Sequence, residues 1–263
     1  MVADEAYQCI LGAMRNRGRV LVAFSGGVDS ALVAKLAWEA LGEDAAAVIT
    51  DTETLPRRDL EHAVSIAREI GLPLRILAAS ELRLPEYAAN PPDRCYLCRR
   101  GLGSVLLPLA REEGFTAIAD GIHRSDLGDT RPGLRAMDEA GFWHPLLEAG
   151  LDKPGVRVLA REVGLSCWDR PSNACLSSRI PHGELITEEK LRRVELAESF
   201  LFGLGFRQVR VRHASGAARV EVNRQEVPRL LREDTALAVR TRLRELGFGE
   251  IVLDPNGYRA GAA

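Results

Sequence analysis

Residues 25–30 read Ser25-Gly26-Gly27-Val28-Asp29-Ser30 and lie between an apolar run, Arg19–Phe24, and a helix-forming run, Ala31–Ala37. This order predicts a strand, a glycine turn and a helix. Glycines let the main chain approach a ligand, and the first N–H groups of a helix form a positive dipole end. The stretch therefore predicts a phosphate-binding loop, although it lacks the lysine of the GxxxxGK[ST] loop. A turn that only caps a helix is the alternative.

Strand and helix patterns alternate through the first two thirds of the chain. Short apolar runs separated by helical segments are typical of a parallel sheet with helices on both faces, which binds ligands at the carboxyl ends of its strands. The sequence thus predicts an α/β domain over residues 1–170. The further predicted strands are Ala45–Thr50, Leu74–Leu77 and Ala117–Asp120, and the helices are Asp59–Ile70, Leu102–Glu113 and Lys153–Val163.

A second, smaller domain is predicted for residues 171–263, after the turn-forming segment Trp168–Asn173. Its pattern mixes helices and strands, which indicates a small α+β domain. We expect it to bind substrate and to mediate oligomerisation. Its predicted helices are Glu188–Leu204, Val227–Glu233 and Thr235–Leu246, and its strands are Gln208–His213, Ala217–Val222 and Glu250–Leu253.

Composition narrows the class of protein. The chain has 263 residues, of which 46% are hydrophobic, and this suffices for a full core. It contains no apolar run long enough to span a bilayer, and its N-terminus lacks the features of a signal peptide. We therefore expect a cytoplasmic protein without a membrane partner. The formal charge of −2 gives no general attraction to phosphate backbones, so no nucleic acid partner is expected.

Three of the five cysteines occur in polar segments. Cys95 and Cys98 are three residues apart, and two thiols alone do not complete a zinc or iron–sulfur site. Cys175, in another turn-rich segment, is the candidate for a further ligand. Coincidental spacing at a helix start is the alternative. Cys9 and Cys167 have ordinary surroundings and are predicted to be buried as small hydrophobic residues.

The segment Gly121–Gly133 follows a predicted strand and is long and charged, as functional loops often are. Asp126 and Asp129 are candidate magnesium ligands, and Arg131 is a candidate for binding a phosphate or carboxylate. An internally paired surface loop is the alternative. His123 is predicted to be a structural or wall residue.

Arg210 and Arg212 lie two residues apart on a predicted strand and therefore share one face. Guanidinium groups on one face predict a phosphate or carboxylate site, with ordinary exposed ion pairs as the alternative. Glu195 and Glu198 on the preceding helix are expected at its solvated surface, with metal ligation as the alternative.

Together these segments resemble the LarE family, ATP-dependent sulfur transferases of the ATP-pyrophosphatase superfamily, over nearly the whole chain. The resemblance implies the adenine nucleotide alpha hydrolase-like fold and synthesis of the nickel-pincer nucleotide cofactor. Its implied substrate is pyridinium-3,5-biscarboxylic acid mononucleotide. The segments that carry the resemblance are Ser25–Ser30, Asn90–Tyr96, Asp126–Gly133 and Ala174–Gly183. The family would have a Thr-Asn pair at Ile122-His123 and an acidic residue at Ser125.

The family has two variants. In one, a single cysteine equivalent to Cys175 gives up its own sulfur and becomes dehydroalanine; in the other, three cysteines hold a [4Fe-4S] cluster that carries an extra sulfide. Cys95, Cys98 and Cys175 match the second variant. The resemblance thus implies ATP, Mg²⁺ and a [4Fe-4S] cluster as cofactors, with Asp29 and Cys175 as catalytic residues. The sulfide donor is left open, and a homo-oligomer is expected.

The implied reaction adenylates a substrate carboxylate with release of pyrophosphate, and sulfide then displaces AMP to give a thiocarboxylate. Ser25–Ser30, Asp126 and Arg131 would bind ATP and its metal, and Arg210 and Arg212 would bind the substrate phosphate. Three alternatives use some of the same features. They are thiolation of a tRNA base, ATP-dependent amide synthesis, and a regulator that binds a nucleotide or metal without catalysis.

Overall fold

The computed structural model describes residues 3–127, 132–171 and 173–259. The chain divides into two compact units. The first unit comprises Met1–Ser80 and Asp93–Asn173, and the second comprises Glu81–Pro92 and Ala174–Ala263. The sequence places the division at residues 170/171, whereas the structure also groups Glu81–Pro92 with the C-terminal residues.

The described residues form seven strands and eleven α-helices. None of these helices is both long enough and apolar enough to cross a bilayer. The strands are β1 (Val20–Ala23), β2 (Ala45–Asp51), β3 (Leu74–Ala78), β4 (Ala117–Ala119), β5 (Val209–Ala214), β6 (Ala217–Val222) and β7 (Ile251–Leu253). The helices are α1 (Ala3–Arg17), α2 (Val28–Leu41), α3 (Arg57–Ile70), α4 (Pro85–Ala88), α5 (Arg94–Glu112), α6 (Pro132–Glu139), α7 (Pro145–Glu148), α8 (Lys153–Glu162), α9 (Glu188–Gly203), α10 (Val227–Leu230) and α11 (Glu233–Glu245).

The sheet of the first unit is parallel and has the strand order β3-β2-β1-β4. The chain runs outward from β1 to β3 and then returns to the other side of β1. The strand order therefore reverses between β1 and β4, and the loops after these two strands diverge from this point. Open α/β sheets bind ligands in the crevice at such a switch point. The predicted α/β fold class is confirmed.

Side chains of β1 alternate between two hydrophobic cores, as a strand covered on both faces requires. Val20 and Val22 contribute to the core that includes residues of α1, α2 and α8. Leu21 contributes to the opposite core, which includes Leu106 of α5 and Met137 of α6. This packing holds the carboxyl end of β1, and the loop that follows it, between two layers of helices.

Two details of the first unit differ from the sequence predictions. Helix α5 begins at Arg94, eight residues before its predicted start. Pro91-Pro92 precedes it and disfavours helical backbone before that point. The prediction of a buried Cys9 is wrong. The buried positions of α1 are Ala6, Ile10, Leu11 and Met14, which lie on one side of the helix and leave Cys9 exposed.

The predicted burial of Cys167 is confirmed, since only 2% of the residue is exposed. Burial disfavours the charged thiolate and raises the pKa of Cys167 to about 11. This thiol is therefore protonated near neutral pH and unsuited to nucleophilic or redox chemistry.

The second unit contains a three-stranded sheet in which β5 and β6 are antiparallel and β6 and β7 are parallel. The segment from residue 81 to residue 92 joins this unit through Asn90, which is fully buried. The Asn90 side-chain amide donates hydrogen bonds to the carbonyl oxygens of Ile180, Pro181 and Glu184. One polar side chain thus fixes the turn that follows the Cys175 segment.

A buried histidine, His144, contacts Asp120 directly after the carboxyl end of β4. His144 lies between two carboxylates, with Nδ1 2.8 Å from Asp120 Oδ1 and Nε2 3.0 Å from Asp138 Oδ1. Burial alone would lower the pKa of His144, but the hydrogen bonds and charges of Asp120 and Asp138 outweigh it and raise the pKa. Because two carboxylates accept from its two ring nitrogens, the charged imidazolium fits this position.

A raised folded-state pKa gives stability that is fully present below the unfolded-state pKa and is lost as pH rises through the folded-state value. We therefore expect His144→Gln to lower the free energy of unfolding most below pH 6.5, the ordinary pKa of histidine. The difference from the wild type should shrink above that pH. Chemical denaturation across a pH series measures it, and a pH-independent difference would contradict the prediction.

Candidate functional site

The loop after β1 is held together by its own hydroxyl groups. The hydroxyl oxygens of Ser25 and Ser30 are 3.0 Å apart, and the Ser25 amide donates to Ser30 Oγ. Ser30 Oγ also donates to the carbonyl oxygen of Gly27, directly before the start of α2. The first turn of a helix has amide groups without intrahelical acceptors, so this end of α2 presents donors to an anion.

Two glycines allow backbone contacts that fix the shape of this loop. Gly26 has a φ of +70°, and a Cβ atom there would lie 2.6 Å from the Cα of Ala63 in α3. A Cβ atom on Gly121, in the loop after β4, would lie 2.7 Å from the amide nitrogen of Ser30. The loops after β1 and β4 are therefore packed directly against each other at the switch point.

A lysine from a distant helix reaches the loop. Lys153 Nζ, at the start of α8, lies 2.6 Å from each carboxylate oxygen of Asp29. His123 Nε2 is 3.6 Å from Asp29 Oδ1, so a second basic residue lies beside the same carboxylate. A lysine ammonium group, which the loop sequence lacks, thus lies beside the loop at the start of α8.

The loop after β4 is tied to the beginning of α8. The amide of Arg124 donates to the carbonyl oxygen of Leu151, and the amide of Lys153 donates to Ser125 Oγ. Asp126 accepts a hydrogen bond from the His123 amide, and its Oδ2 lies 3.2 Å from His123 Nδ1. His123 therefore lies between Asp126 and Asp29.

The remaining candidates of this loop, Asp129 and Arg131, lie outside the described residues. Their predicted roles stay predictions.

The three candidate cysteine ligands belong to different units. Cys95 and Cys98 are in the first two turns of α5, in the first unit, where Cys95 is exposed and Cys98 half-buried. Cys175 is half-buried in the second unit. All five cysteines of the chain are described, and they form no disulfide. Within the described ranges, no three His, Cys, Asp or Glu side chains are grouped so as to hold a metal ion.

Arg210 and Arg212 share one face of β5, but their surroundings differ. Arg210 is 6% exposed, lies over the ring of Tyr258 and donates to the carbonyl oxygen of Val209. Burial, with a smaller contribution from the charge of Arg179, lowers the pKa of Arg210. Arg212 pairs with Glu221, whose Oε1 accepts from Nε at 2.9 Å, and it is the more accessible of the two arginines.

Glu198 is not at the solvated surface that the sequence predicts. It is 4% exposed and paired with Arg179, which is 1% exposed. Spacing along α9 indicated neither the burial of Glu198 nor its partner. No sequence pattern assigned a functional role to Arg179 or Lys153. The only local signal for Lys153 is its position at a helix start, marked by Asp152 and Pro154.

The loop after β1 offers hydroxyl groups, helix-end amides and the nearby Lys153 ammonium group to one anion. These groups are the donors that bind polyphosphates in proteins. The Asp29 and Asp126 carboxylates add the oxygen ligands that Mg²⁺ prefers. The arrangement suits a nucleoside triphosphate, whose phosphate oxygens gain negative charge as a phosphoanhydride bond breaks.

Comparison with known proteins agrees with this chemistry. A family model described as NAD synthase matches residues 12–82. A pyridinium-3,5-bisthiocarboxylic acid mononucleotide synthase of Lactiplantibacillus plantarum is 36% identical over 253 residues, 96% of this chain and 91% of its own. An uncharacterized protein of Synechocystis is 40% identical over 243 residues, 92% of this chain and 91% of its own. A tRNA-specific 2-thiouridylase of Caulobacter is 30% identical over 209 residues, 64% of this chain and 50% of its own.

The glycine contacts generate a prediction. Gly26→Ala should lower stability by about 1 kcal/mol through its positive φ and by about 1–3 kcal/mol more through the clash with Ala63. It should also weaken ATP binding by displacing the loop. Gly164→Ala is the matched control, since its φ is +79° but no atom lies within 4 Å of the added Cβ. Equal unfolding free energies for the two variants would contradict this packing argument.

Proposed function

The chain belongs to the LarE family of ATP-dependent sulfur transferases, and we propose that it converts a carboxylate of pyridinium-3,5-biscarboxylic acid mononucleotide to a thiocarboxylate. The relative in Lactiplantibacillus plantarum, which carries the name of the bisthiocarboxylic product, matches 96% of this chain. The tRNA-thiolating relative matches only 64%. That difference favours nickel-pincer cofactor synthesis over tRNA thiolation.

The first step of the proposed reaction is adenylation. A substrate carboxylate oxygen attacks the α-phosphorus of ATP, the bond from that phosphorus to the bridging oxygen breaks, and pyrophosphate leaves with the electron pair. The products are an acyl adenylate and pyrophosphate. The observation that carries this proposal is the loop at residues 25–30, with the Lys153 ammonium group beside it.

Lys153 is the residue we assign to the phosphates in addition to the loop itself. Its ammonium group contacts Asp29, and its side chain is 24% exposed, so an incoming phosphate can reach it. Asp29 would hold Mg²⁺, which would offset negative charge on the phosphates when bound, and Asp126 would join it only once His123 no longer separates the two carboxylates. With Asp29 bound to the metal ion, Lys153 would be available to the leaving pyrophosphate.

The second step is sulfur transfer. A sulfide sulfur attacks the carbonyl carbon of the acyl adenylate, the carbon–oxygen bond to AMP breaks, and AMP leaves with the electron pair. We propose that Cys95, Cys98 and Cys175 hold a [4Fe-4S] cluster, since thiolates are the ligands of such clusters. Three cysteine ligands would leave one iron of the cluster for a transferable sulfide. Two arguments support this cluster proposal: the three residues are cysteines, and their segments resemble those of the family variant that holds a cluster.

We assign the substrate phosphate to the second unit. Arg212 is the preferred contact because its guanidinium is partly exposed and can present two N–H groups to a phosphate. Arg210 is nearly buried and is already bonded to Val209 and stacked on Tyr258. Its contribution is therefore to the positive potential and the shape of this face.

Replacing Lys153 should separate ATP chemistry from folding. We expect Lys153→Met to lower pyrophosphate release by about 10²-fold or more, because it removes a charge directed at the phosphates. The matched control is Lys35→Met, since Lys35 pairs with Glu39 on the surface of α2. Pyrophosphate release measured with saturating substrate tests this. Equal rates for the two variants would remove Lys153 from the ATP site.

The fate of Cys175 separates the two sources of sulfur. A cluster ligand should keep its mass during turnover, whereas a sacrificial cysteine loses hydrogen sulfide and becomes dehydroalanine. We expect Cys95→Ala and Cys98→Ala to abolish thiocarboxylate formation as completely as Cys175→Ala. Cys9→Ala is the control, because Cys9 is exposed on α1. Peptide mass analysis after turnover decides the matter, and dehydroalanine at position 175 would defeat the cluster proposal.

A further inference from the structure

A buried arginine holds the backbone on both sides of the peptide bond between Ala174 and Cys175. Arg179 is 1% exposed. Its Nη1 donates to the carbonyl oxygen of Ala174 at 2.6 Å and to that of Cys175 at 2.9 Å. The Cys175 carbonyl also accepts from the amide of Ser178 and from its hydroxyl. Two consecutive carbonyl groups at the cysteine are thus fixed by donors within the second unit.

The opposite side of the same guanidinium group binds one carboxylate. Arg179 Nε lies 2.9 Å from Glu198 Oε1, and Nη2 lies 3.0 Å from Glu198 Oε2. Glu198 Oε1 also accepts a hydrogen bond from the amide of Val211 at 2.9 Å. A continuous series of hydrogen bonds therefore runs from the backbone of Cys175, through Arg179 and Glu198, to strand β5.

Strand β5 carries Arg210 and Arg212 on either side of Val211. We propose that Arg179 is a positioning residue for sulfur transfer, which fixes Cys175 relative to the strand that binds the substrate phosphate. This inference rests on the proposed function for the roles of Cys175 and Arg212. Arg179 acts through the backbone and through Glu198, and it is not assigned any contact with substrate.

The physical cost of this arrangement supports a positioning role. Burying a guanidinium and a carboxylate removes both from water, and apolar residues of similar size often stabilise a protein equally well. A two-pronged contact between arginine and a carboxylate fixes orientation as well as energy. Lysine has a single ammonium group, so it cannot bind both carboxylate oxygens and both carbonyl groups in the same planar geometry.

The test uses the full-length protein with three variants. Arg179→Lys keeps the charge that Glu198 needs and loses the planar contacts. A double variant, Arg179→Gln with Glu198→Gln, leaves no unpaired buried charge. Arg242→Lys is the matched control, because Arg242 pairs with Glu245 on the exposed surface of α11. Far-ultraviolet circular dichroism establishes that each variant is folded.

Three measurements are made on each variant. Pyrophosphate release reports adenylation in the first unit, and thiocarboxylate formation reports sulfur transfer. The rate of iodoacetamide alkylation at Cys175, relative to Cys95, is measured by peptide mass analysis without added iron or sulfide. This third readout requires no turnover, so it tests the positioning of Cys175 even if the proposed function fails.

We expect both Arg179 variants to keep pyrophosphate release within about twofold of the wild type while thiocarboxylate formation falls about 10- to 100-fold. Alkylation of Cys175 should become several-fold faster, because the half-buried thiol loses its backbone anchors. Unchanged product formation and alkylation in folded Arg179→Lys would overturn the inference. A parallel loss of both activities would also overturn it, since that pattern indicates general damage. A wild type that releases no pyrophosphate would instead count against the proposed function.

Discussion

Contact between backbone segments at two glycines is the constraint on which the nucleotide site depends. Gly26 lies against Ala63 of α3, and Gly121 lies against the first residues of α2. Each contact leaves no room for a side chain, so the loop after β1 is held from two directions. The switch point of the sheet brings the loops after β1 and β4 together, and these glycines determine how closely they approach.

Several charges near the proposed ligand-binding groups are already paired. Asp29 pairs with Lys153, and Arg212 pairs with Glu221. An incoming anion at either place must compete with a carboxylate for a cation that is already in contact. At Asp29, a polyphosphate that arrives with a metal ion would meet this competition, because Asp29 would bind the metal and Lys153 the phosphate.

Local patterns predict the elements of this fold well but not their long-range contacts. The predicted strand Ala217–Val222 and the helix starting at Lys153 agree with the observed bounds because alternation and a proline near the helix start are local signals. The contact between Lys153 and Asp29 joins residues 124 positions apart, and no local pattern encodes it. The burial of Glu198 likewise depends on a partner outside its own helix, Arg179, which is 19 positions away and ends a short 3-10 helix.

Cys9 shows the opposite limit. Residue type favoured burial, but the spacing of Ala6, Ile10 and Met14 determines which side of α1 faces the core. The helical spacing of these apolar residues is present in the sequence, and it predicts that Cys9 lies on the exposed side of α1. The assignment of residues 81–92 was not readable in this way, because it depends on the contacts of Asn90 with residues 180–184.

The place of Glu81–Pro92 in the second unit has a consequence for how the protein is made. Once residue 173 has been synthesised, every residue of the first unit is present. The inserted segment Glu81–Pro92 is present too, but its partners in the second unit have not yet been translated. The Asn90 amide group can form its hydrogen bonds only after residues 180–184 have been synthesised. The first unit can therefore fold during synthesis, whereas the second is completed by strands and helices that emerge last. A gene fragment encoding only residues 174–263 would lack Glu81–Pro92 and therefore the hydrogen bonds of Asn90 to the turn.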